Sequence, residues 1–501
     1  MVNITVDGQE YSVDEKKNLI DALKDVGIHV PTFCYHPKLK VAGLCRLCLI
    51  EIEGVPKLQA GCATPVKEGM KILVSSEKII KAREAMMEFQ LINHPLDCPV
   101  CDKAGECKLQ DYSFSTGQAS TRYKEAKRFI SQEVVGDNLL INHNRCILCL
   151  RCVRFSKEIL NEESLERTQR GNNTVIACVK PGENALISHN YQGALSDICP
   201  VGALLNKNML FKSRVWWYEK TQTICHGCST LCKVTANVKN NEVYRYMPPE
   251  NKEKDGYFIC DKGRFSAPDF SKNRLYHFMI NGKKKKSTET YAELYERFKK
   301  SGKVLIIGGT TESNEDLQKI SEAVKLFEKN NKNTVWEFKT EDYMYKGDWN
   351  SQIDFLLTSD VRPNSKKAKE IAGDNGADKN SLKKAVKDAD IIFVINELSA
   401  PFSYKTEDES ALAENMVFQF LEENKGWDKT VLLTTHNNTA AKKANIAWPI
   451  QSFVEKDGTY TDKTNTEKKS AKSVKPPEGL KNSGELFEAF IETLSQKEAI
   501  A

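Results

Sequence analysis

The residues of this chain best suited to chemistry are its 16 cysteines, accompanied by 8 histidines. The cysteines stand at positions 34, 45, 48, 62, 98, 101, 107, 146, 149, 152, 178, 199, 225, 228, 232 and 260 of 501 residues. The last 241 residues hold none. Disulfides need an oxidising compartment. The start, Met1-Val-Asn-Ile-Thr-Val-Asp-Gly, has neither the basic n-region nor the apolar h-region of a secretory signal. Structural zinc favours C-x2-C knuckles in twos, whereas most cysteines here come in threes with a distant fourth. Attached haem needs C-x-x-C-H, and no C-x-x-C pair here is followed by His. Three thiolates plus a distant ligand suit iron–sulfur clusters, which normally take four soft ligands.

Four sets follow from the spacing. Cys34, Cys45, Cys48 and Cys62 read C-x10-C-x2-C-x13-C. Cys98, Cys101 and Cys107 supply only three thiols, and His94, four residues upstream, is the candidate fourth ligand. Imidazole in place of thiolate removes a negative charge and raises the reduction potential of such a site. Cys146, Cys149 and Cys152 form C-x2-C-x2-C. Two-cluster ferredoxins place a further Cys four residues on, where this chain has Ser156. Counting back from Cys199-Pro200 gives His189, Gln192 and Leu195, so one complete ligand set survives: Cys146, Cys149, Cys152 and Cys199. The last set, Cys225, Cys228, Cys232 and Cys260, reads C-x2-C-x3-C-x27-C. His226 is read as a loop residue, and Cys178, in apolar Thr174-Val-Ile-Ala-Cys178-Val, as a buried structural thiol.

The elements that must position these residues are legible in part. Met1–Asp7 and Glu10–Val13 alternate as a hairpin around Gly8. Asn18–Val26 has helical periodicity stopped by Gly27, and Leu49–Glu53 resumes a strand. The first set then lies in a loop. From Lys303 onward, apolar runs at Val304–Ile307, Ile391–Ile395 and Val431–Thr434 alternate with helical patterns, which predicts a parallel sheet with helices on both sides. Gly308-Gly309 reads as a tight strand–helix turn, and Ser313-Asn-Glu-Asp as a helix start. Lys283–Lys286 is expected as an exposed turn, Asp462–Leu480 as a surface-wrapping or mobile arm, and Ser483–Gln496 as a closing helix.

The motifs resemble known families. The first set resembles the 2Fe–2S ferredoxin domain that opens complex I and iron-only hydrogenase chains. His94-Pro-Leu-Asp-Cys98-Pro-Val-Cys101-Asp-Lys-Ala-Gly-Glu-Cys107 is similar to the His-plus-three-Cys motif of the complex I large iron–sulfur subunit. The third set resembles a ferredoxin-like domain reduced to one 4Fe–4S cluster. The fourth, with Tyr257-Phe-Ile-Cys260-Asp-Lys-Gly-Arg264-Phe, resembles the N-terminal cluster motif of molybdopterin oxidoreductases. Asn445-Ile-Ala-Trp-Pro-Ile with Phe453-Val-Glu-Lys-Asp-Gly-Thr-Tyr-Thr is similar to a late segment of that family.

The whole is similar to the large iron–sulfur subunit of bacterial NADH:quinone oxidoreductase, shortened at its C-terminus. The resemblance implies a multidomain α+β and α/β chain. Its parts are a β-grasp 2Fe–2S ferredoxin (1–78), a 4Fe–4S module ligated by one His and three Cys (79–118), a one-cluster 4Fe–4S ferredoxin-like domain (119–216), a molybdopterin-oxidoreductase-like 4Fe–4S module (217–273) and a reduced α/β scaffold (274–501). It implies one 2Fe–2S and three 4Fe–4S clusters with no molybdopterin. The 2Fe–2S and His-ligated clusters are expected near the flavin side, with the Cys146/Cys199 cluster following. A flavin/NADH-binding subunit and quinone-side peripheral-arm subunits are the expected partners, on the cytoplasmic face of the plasma membrane. Rival readings are an electron-transfer subunit of an NAD-linked hydrogenase and a formate dehydrogenase-like chain. The net charge of +5 is too small to argue for nucleic acid, and no apolar run approaches the roughly 18 residues of a membrane helix.

Overall fold

The computed structural model describes residues 1–179, 187, 190–252, 256–266, 273–330, 332–337, 360, 362–372, 379–396 and 415–498. The position at His189, expected to have lost a ligand, lies outside these residues. Contacts divide the chain into two units, the first running from Met1 to Trp217 and the second beginning at Tyr218.

The first unit opens with β1 (Val2–Val6) and β2 (Gln9–Val13), the expected hairpin. The helix Leu19–Asp25 follows, capped by Asn18, whose side chain accepts from the Asp21 N–H at 3.1 Å. Gly27, at φ +82°, ends it in the left-handed conformation that Gly adopts without strain. The strands β3 (Leu49–Ile52), β4 (Gln59–Ala60) and β5 (Lys71–Leu73) complete a sheet of order β2-β1-β5-β3-β4. Ile4, Val6, Leu19, Leu23, Ile50 and Ile72 form its core. The stretch between helix and β3 has no regular structure and carries Cys34, Cys45 and Cys48.

The helix Glu77–Leu91, capped by Ser76, delivers the chain to His94, and the helix Lys108–Thr116 starts directly after Cys107. A small sheet of β6 (Glu133–Val134), β7 (Leu139–Ile141) and later β10 (Leu204–Asn206) backs the third cysteine set. Between them lie the hairpin β8 (Leu165–Thr168) with β9 (Val175–Cys178) and the helix Gln192–Ile198. Cys178 ends β9 as a strand residue, but it is half-buried rather than buried.

The second unit begins with an antiparallel meander, β11 (Glu219–Ile224), β12 (Lys233–Lys239) and β13 (Glu242–Met247). A seven-stranded sheet follows, built from β14 (Phe278–Ile280), β15 (Lys283–Lys285), β16 (Lys303–Gly308), β17 (Asn333–Glu337), β18 (Ile391–Ile395), β19 (Thr430–Thr434) and β20 (Ile446–Pro449). The strands β17, β16, β18, β19 and β20 run parallel, and β14 and β15 are antiparallel additions. Every residue of β18 is buried, because helices cover both faces of the sheet. The predicted strand–helix turn is present at Gly308-Gly309, where Trp336 Nε1 donates to the Gly308 carbonyl at 3.0 Å. Ser313 caps the following helix, Asn314–Lys329.

Two expectations change here. Lys283–Lys285 is an exposed edge strand paired with Phe278–Ile280 rather than a turn, and lysines on an edge discourage pairing with another chain. Asp462–Leu480 is not a free arm. Its strand β22 (Glu467–Ser470) pairs with β21 (Gly458–Thr461). The closing helix runs Ser483–Glu498.

Candidate metal centres

The first set closes in the loop that the β1–β5 sheet supports. The N–H groups of Phe33 and Cys34 donate to Cys45 Sγ at 3.4 and 3.5 Å, and the Cys45 N–H donates back to Cys34 Sγ at 3.5 Å. Cys48 Sγ and Cys62 Sγ stand 3.4 Å apart. All four are buried. Hydrogen bonds from Cys45 and Cys62 pull Cys34 down to about 5 and Cys48 down to about 7. Hydrogen bonding to Cys48, burial and the charges of Cys48, Cys34 and Cys45 hold Cys62 up.

The second set sits on short turns. Cys98–Val100 is a single 3-10 turn that presents Cys101, and the Lys108–Thr116 helix anchors Cys107. Burial pushes the Cys107 thiol up, with the Cys101 charge adding to it. His94 is drawn down to about 4 by burial and by the positive charges of Arg145 and Lys127. Among the described residues its buried Nδ1 has no hydrogen-bond partner. The imidazole is therefore held neutral, the form that ligates metal. Cys98 is exposed.

Cys146, Cys149, Cys152 and Cys199 line one cavity with apolar Ile141, Ile176, Val201 and Leu204. Burial pushes Cys146 up to about 12 and Cys149 up to about 11, and takes Cys152 well above the usual thiol range. Mutual repulsion of the four thiolates adds to this. Ser156, which ends the sequence run without a ligand, accepts at its Oγ from Ser164 Oγ at 3.1 Å.

In the fourth set the Cys225 N–H donates to the Cys232 carbonyl at 2.7 Å, which closes the loop between β11 and β12. Cys232 feels the charges of Cys228, Cys225 and Cys260. A Cβ added at Gly263 would lie 2.4 Å from Cys225 Sγ and 3.9 Å from Cys260 Sγ, so only glycine lets the helix Asp261–Ser266 back onto the site. His226 is a loop residue as expected, yet it is buried. It stacks on Phe453 at 4.5 Å and meets the Tyr460 edge at 4.7 Å. The β21–β22 hairpin clasps this loop. Lys463 N–H donates to the Ser229 carbonyl, Lys468 Nζ to the carbonyls of Thr230 and Leu231, and Thr223 Oγ1 to the Ala471 carbonyl.

A feature shared by three of the loops escapes sequence reading. Arg46, Leu148, Leu150 and Leu231 adopt φ values of +52°, +52°, +58° and +48°. Each costs of order 1–3 kcal/mol for a residue with a Cβ. Such turns cup backbone N–H groups around an anion. The Leu148 N–H accordingly points at Cys146 Sγ, 3.4 Å away.

Among the described residues, no three His, Cys, Asp or Glu side chains converge as a single metal ion requires. The ligands of an iron–sulfur cluster would be shared among two or four irons rather than gathered on one ion. Thiols gathered in apolar, mutually repelling groups and an orphaned neutral imidazole fit cationic iron centres. The cations supply the charge that burial alone denies the thiolates.

Residues 1–77 match the 2Fe-2S iron-sulfur cluster binding domain. Residues 83–122 match the NADH-ubiquinone oxidoreductase-G iron-sulfur binding region. Residues 136–205 match the ferredoxin-like domain of NADH-quinone oxidoreductase subunit 3, and 218–268 the molybdopterin oxidoreductase Fe4S4 domain. The NADH-quinone oxidoreductase G subunit of Rickettsia conorii is 35% identical over 367 residues, 72% of this chain and 53% of the relative. The chain is homologous to the G subunits of NADH-quinone oxidoreductases. The Rickettsia bellii G subunit is 40% identical over 275 residues, 55% of this chain and 40% of its own length. The 75 kDa subunit of NADH-ubiquinone oxidoreductase from Reclinomonas americana is 36% identical over 295 residues, 59% and 42% of the two chains. The chain spans about half the length of the Rickettsia conorii relative. A solved chain from an NAD+-reducing [NiFe]-hydrogenase aligns at TM-score 0.40 and 27% identity, covering 43% of this chain and 91% of that one. Among the described residues, no helix is long and apolar enough to cross a membrane.

Proposed function

We propose that this chain is the iron–sulfur electron-transfer subunit of a proton-pumping NADH:quinone oxidoreductase. The observation that carries this reading is the coincidence of four cysteine sets with four matched cluster-binding regions. Cys34, Cys45, Cys48 and Cys62 hold a 2Fe–2S cluster in a β-grasp domain. His94, Cys98, Cys101 and Cys107 hold a 4Fe–4S cluster, as do Cys146, Cys149, Cys152 and Cys199, and Cys225, Cys228, Cys232 and Cys260. When bound, these clusters pass electrons singly from a flavin-bearing partner towards a quinone-facing one.

The chain's residues provide placement and tuning. The left-handed turns aim N–H groups at sulfur, and the apolar walls of the third cavity exclude water. His94 carries no charge, which favours the reduced state of its site. The middle position along the path falls to the Cys146 set rather than the last position expected from resemblance. Supporting this, Arg151 beside Cys152 reaches the Tyr35 carbonyl next to Cys34. On its other side, the Lys108 N–H after Cys107 donates to the Pro200 carbonyl after Cys199 at 3.0 Å. The part from 274 to 501 serves as a scaffold that binds no molybdenum. The chain works at the cytoplasmic face of the plasma membrane, held there by partner subunits.

Low-temperature electron paramagnetic resonance of the anaerobically reconstituted, reduced chain tests the proposal. One binuclear and three tetranuclear signals are expected. Zinc without iron, or stoichiometric molybdenum, refutes it.

A further inference from the structure

Arg151 is a buried cation without a carboxylate. It lies between Cys149 and Cys152 in sequence and is 5% exposed. Nη2 donates to the Tyr35 carbonyl at 2.5 Å and Nη1 to the Ile198 carbonyl at 3.4 Å. Nε has no partner. Tyr35 follows Cys34 and Ile198 precedes Cys199, so one guanidinium spans the backbones of two ligand sets. Among the described residues no carboxylate pairs with it, and the groups facing it that turn negative once ionised are Cys149, Cys199, Cys34 and Cys45.

A buried guanidinium costs several kcal/mol unless an anion compensates it. Arginine does not escape by losing its proton. Two neutral carbonyls offset only part of the cost. The compensation must come from the two cysteine sets on either side, and each becomes more negative when a cluster there is reduced. Arg151 therefore interacts more strongly with the reduced than with the oxidised form of each. At low local dielectric this preference is large.

We propose that Arg151 is a shared positioning and tuning residue that raises the reduction potentials of the Cys34 and Cys146 centres together. The proposal rests on the cluster assignments above. Because one charge serves both sites, it moves both potentials in the same direction. The driving force for passing an electron between them changes little while both stay reducible. Its two hydrogen bonds also fix the spacing of the loops, which sets the distance an electron must cross.

The test is a redox titration of the reconstituted full chain followed by electron paramagnetic resonance, comparing wild type with Arg151→Gln, Arg151→Met and Arg151→Lys. In the Gln and Met variants both signals persist, and each reduction equilibrium shifts at least tenfold towards the oxidised form. That is 59 mV for a one-electron couple. The signal of the Cys225 centre does not move. The Lys variant keeps the charge while losing the two-carbonyl fork, and its potentials stay within about a factor of three of wild type. Unmoved potentials in the Gln and Met variants overturn the proposal, as does movement of only one of the two signals. If Gln and Met variants lose both signals through misfolding, Arg151→Lys decides: a tenfold fall there assigns Arg151 a purely structural role and overturns the tuning. Failure of wild type to show both signals refutes the cluster assignments instead.

Discussion

Replacing Gly202 by Ala should remove the His94-side cluster while sparing the first. Gly202 lies three residues beyond Cys199 and is buried. Its φ lies outside the left-handed range, so alanine meets no backbone penalty there. The obstacle is steric. The added Cβ would stand 2.3 Å from Cys101 Sγ and 3.2 Å from Lys103 Cβ. An ordinary contact begins near 3.4 Å, so Cys101 or the Pro200–Leu204 stretch must give by about 1 Å. Neither yields easily. Cys101 is buried, Lys103 is buried, and the Lys108 N–H ties the two segments through the Pro200 carbonyl. Overpacking of this kind costs roughly 1–3 kcal/mol. A ligand displaced by 1 Å also exceeds the ~0.5 Å tolerance of a working site. For a unit of this size the melting temperature should fall by roughly 2–4 °C for each kcal/mol.

The assay is reconstitution with iron and sulfide, then electron paramagnetic resonance. The expected result is loss or broadening of the His94/Cys98/Cys101/Cys107 signal with the binuclear signal unchanged. Gly61→Ala is the control. Its Cβ meets the flexible end of Ile20 at 2.9 Å, which can rotate away, and the Cys48 carbonyl at 3.3 Å, about 0.1 Å inside ordinary contact, so the binuclear signal should survive. A Gly202→Ala protein with wild-type iron content and an unaltered second signal would refute the reasoning.

Other outcomes follow from the same geometry. His94→Cys should keep its cluster at a lower potential and His94→Ala should lose it; identical spectra and potentials in both would exclude His94 as a ligand. Cys178→Ser should leave iron, sulfide and every signal unchanged, since among the described residues the thiol has only a long contact of 4.0 Å to the Val135 carbonyl. Lys456 Nζ lies 2.7 Å from Glu312 and 2.6 Å from Asp316, all buried, so Lys456→Met should cost about 3–5 kcal/mol by stranding two carboxylates. Burial pulls Lys456 down, but the charges of Asp316 and Glu312 outweigh it and hold it well above the lysine range. Burial likewise pushes Asp316 up, and Lys456 outweighs it to hold Asp316 low. The raised group stabilises fully below its unfolded value and less as pH rises through the folded one. The depressed group stabilises fully above its unfolded value and less as pH falls. The contribution of this triad to stability should therefore be greatest between about pH 4 and about pH 10, and thermal melts of Lys456→Met that match wild type across that window would contradict this.

What the amino-acid order discloses is unequal across the molecule. The cysteine sets are legible because three of their four ligands sit within one turn or loop. The distant Cys62, Cys199 and Cys260 are legible because few other thiols compete for the place. Alternation in Val2–Val6 and the continuous apolar run Ile391–Ile395 likewise reveal a half-buried and a fully buried strand. The second environment of each centre is hidden, because it depends on proximity across long stretches of chain. Nothing near Cys101 in sequence points to Gly202, and nothing near Cys225 points to Gly263 or Ala471. Leu148 and Leu150 carry no sign of their left-handed turns, since leucine has no preference for them. Lys283–Lys285 reads as a polar turn, but pairing with Phe278–Ile280 decides the matter at the sheet edge.

The hairpin that clasps the Cys225–Cys232 loop bears on the order of events while the chain is being made. The first three sets are all present once Cys199 has been synthesised, whereas the fourth lacks its clasp until Ala471 emerges. Ala471 follows Cys232 by 239 positions. At roughly 5–20 residues per second, that interval lasts roughly 12–48 s. Throughout it the fourth set waits with its thiols complete from Cys260 onward but its loop unclosed. This site is the one most open to oxidation, or to capture of a wrong metal, on the ribosome.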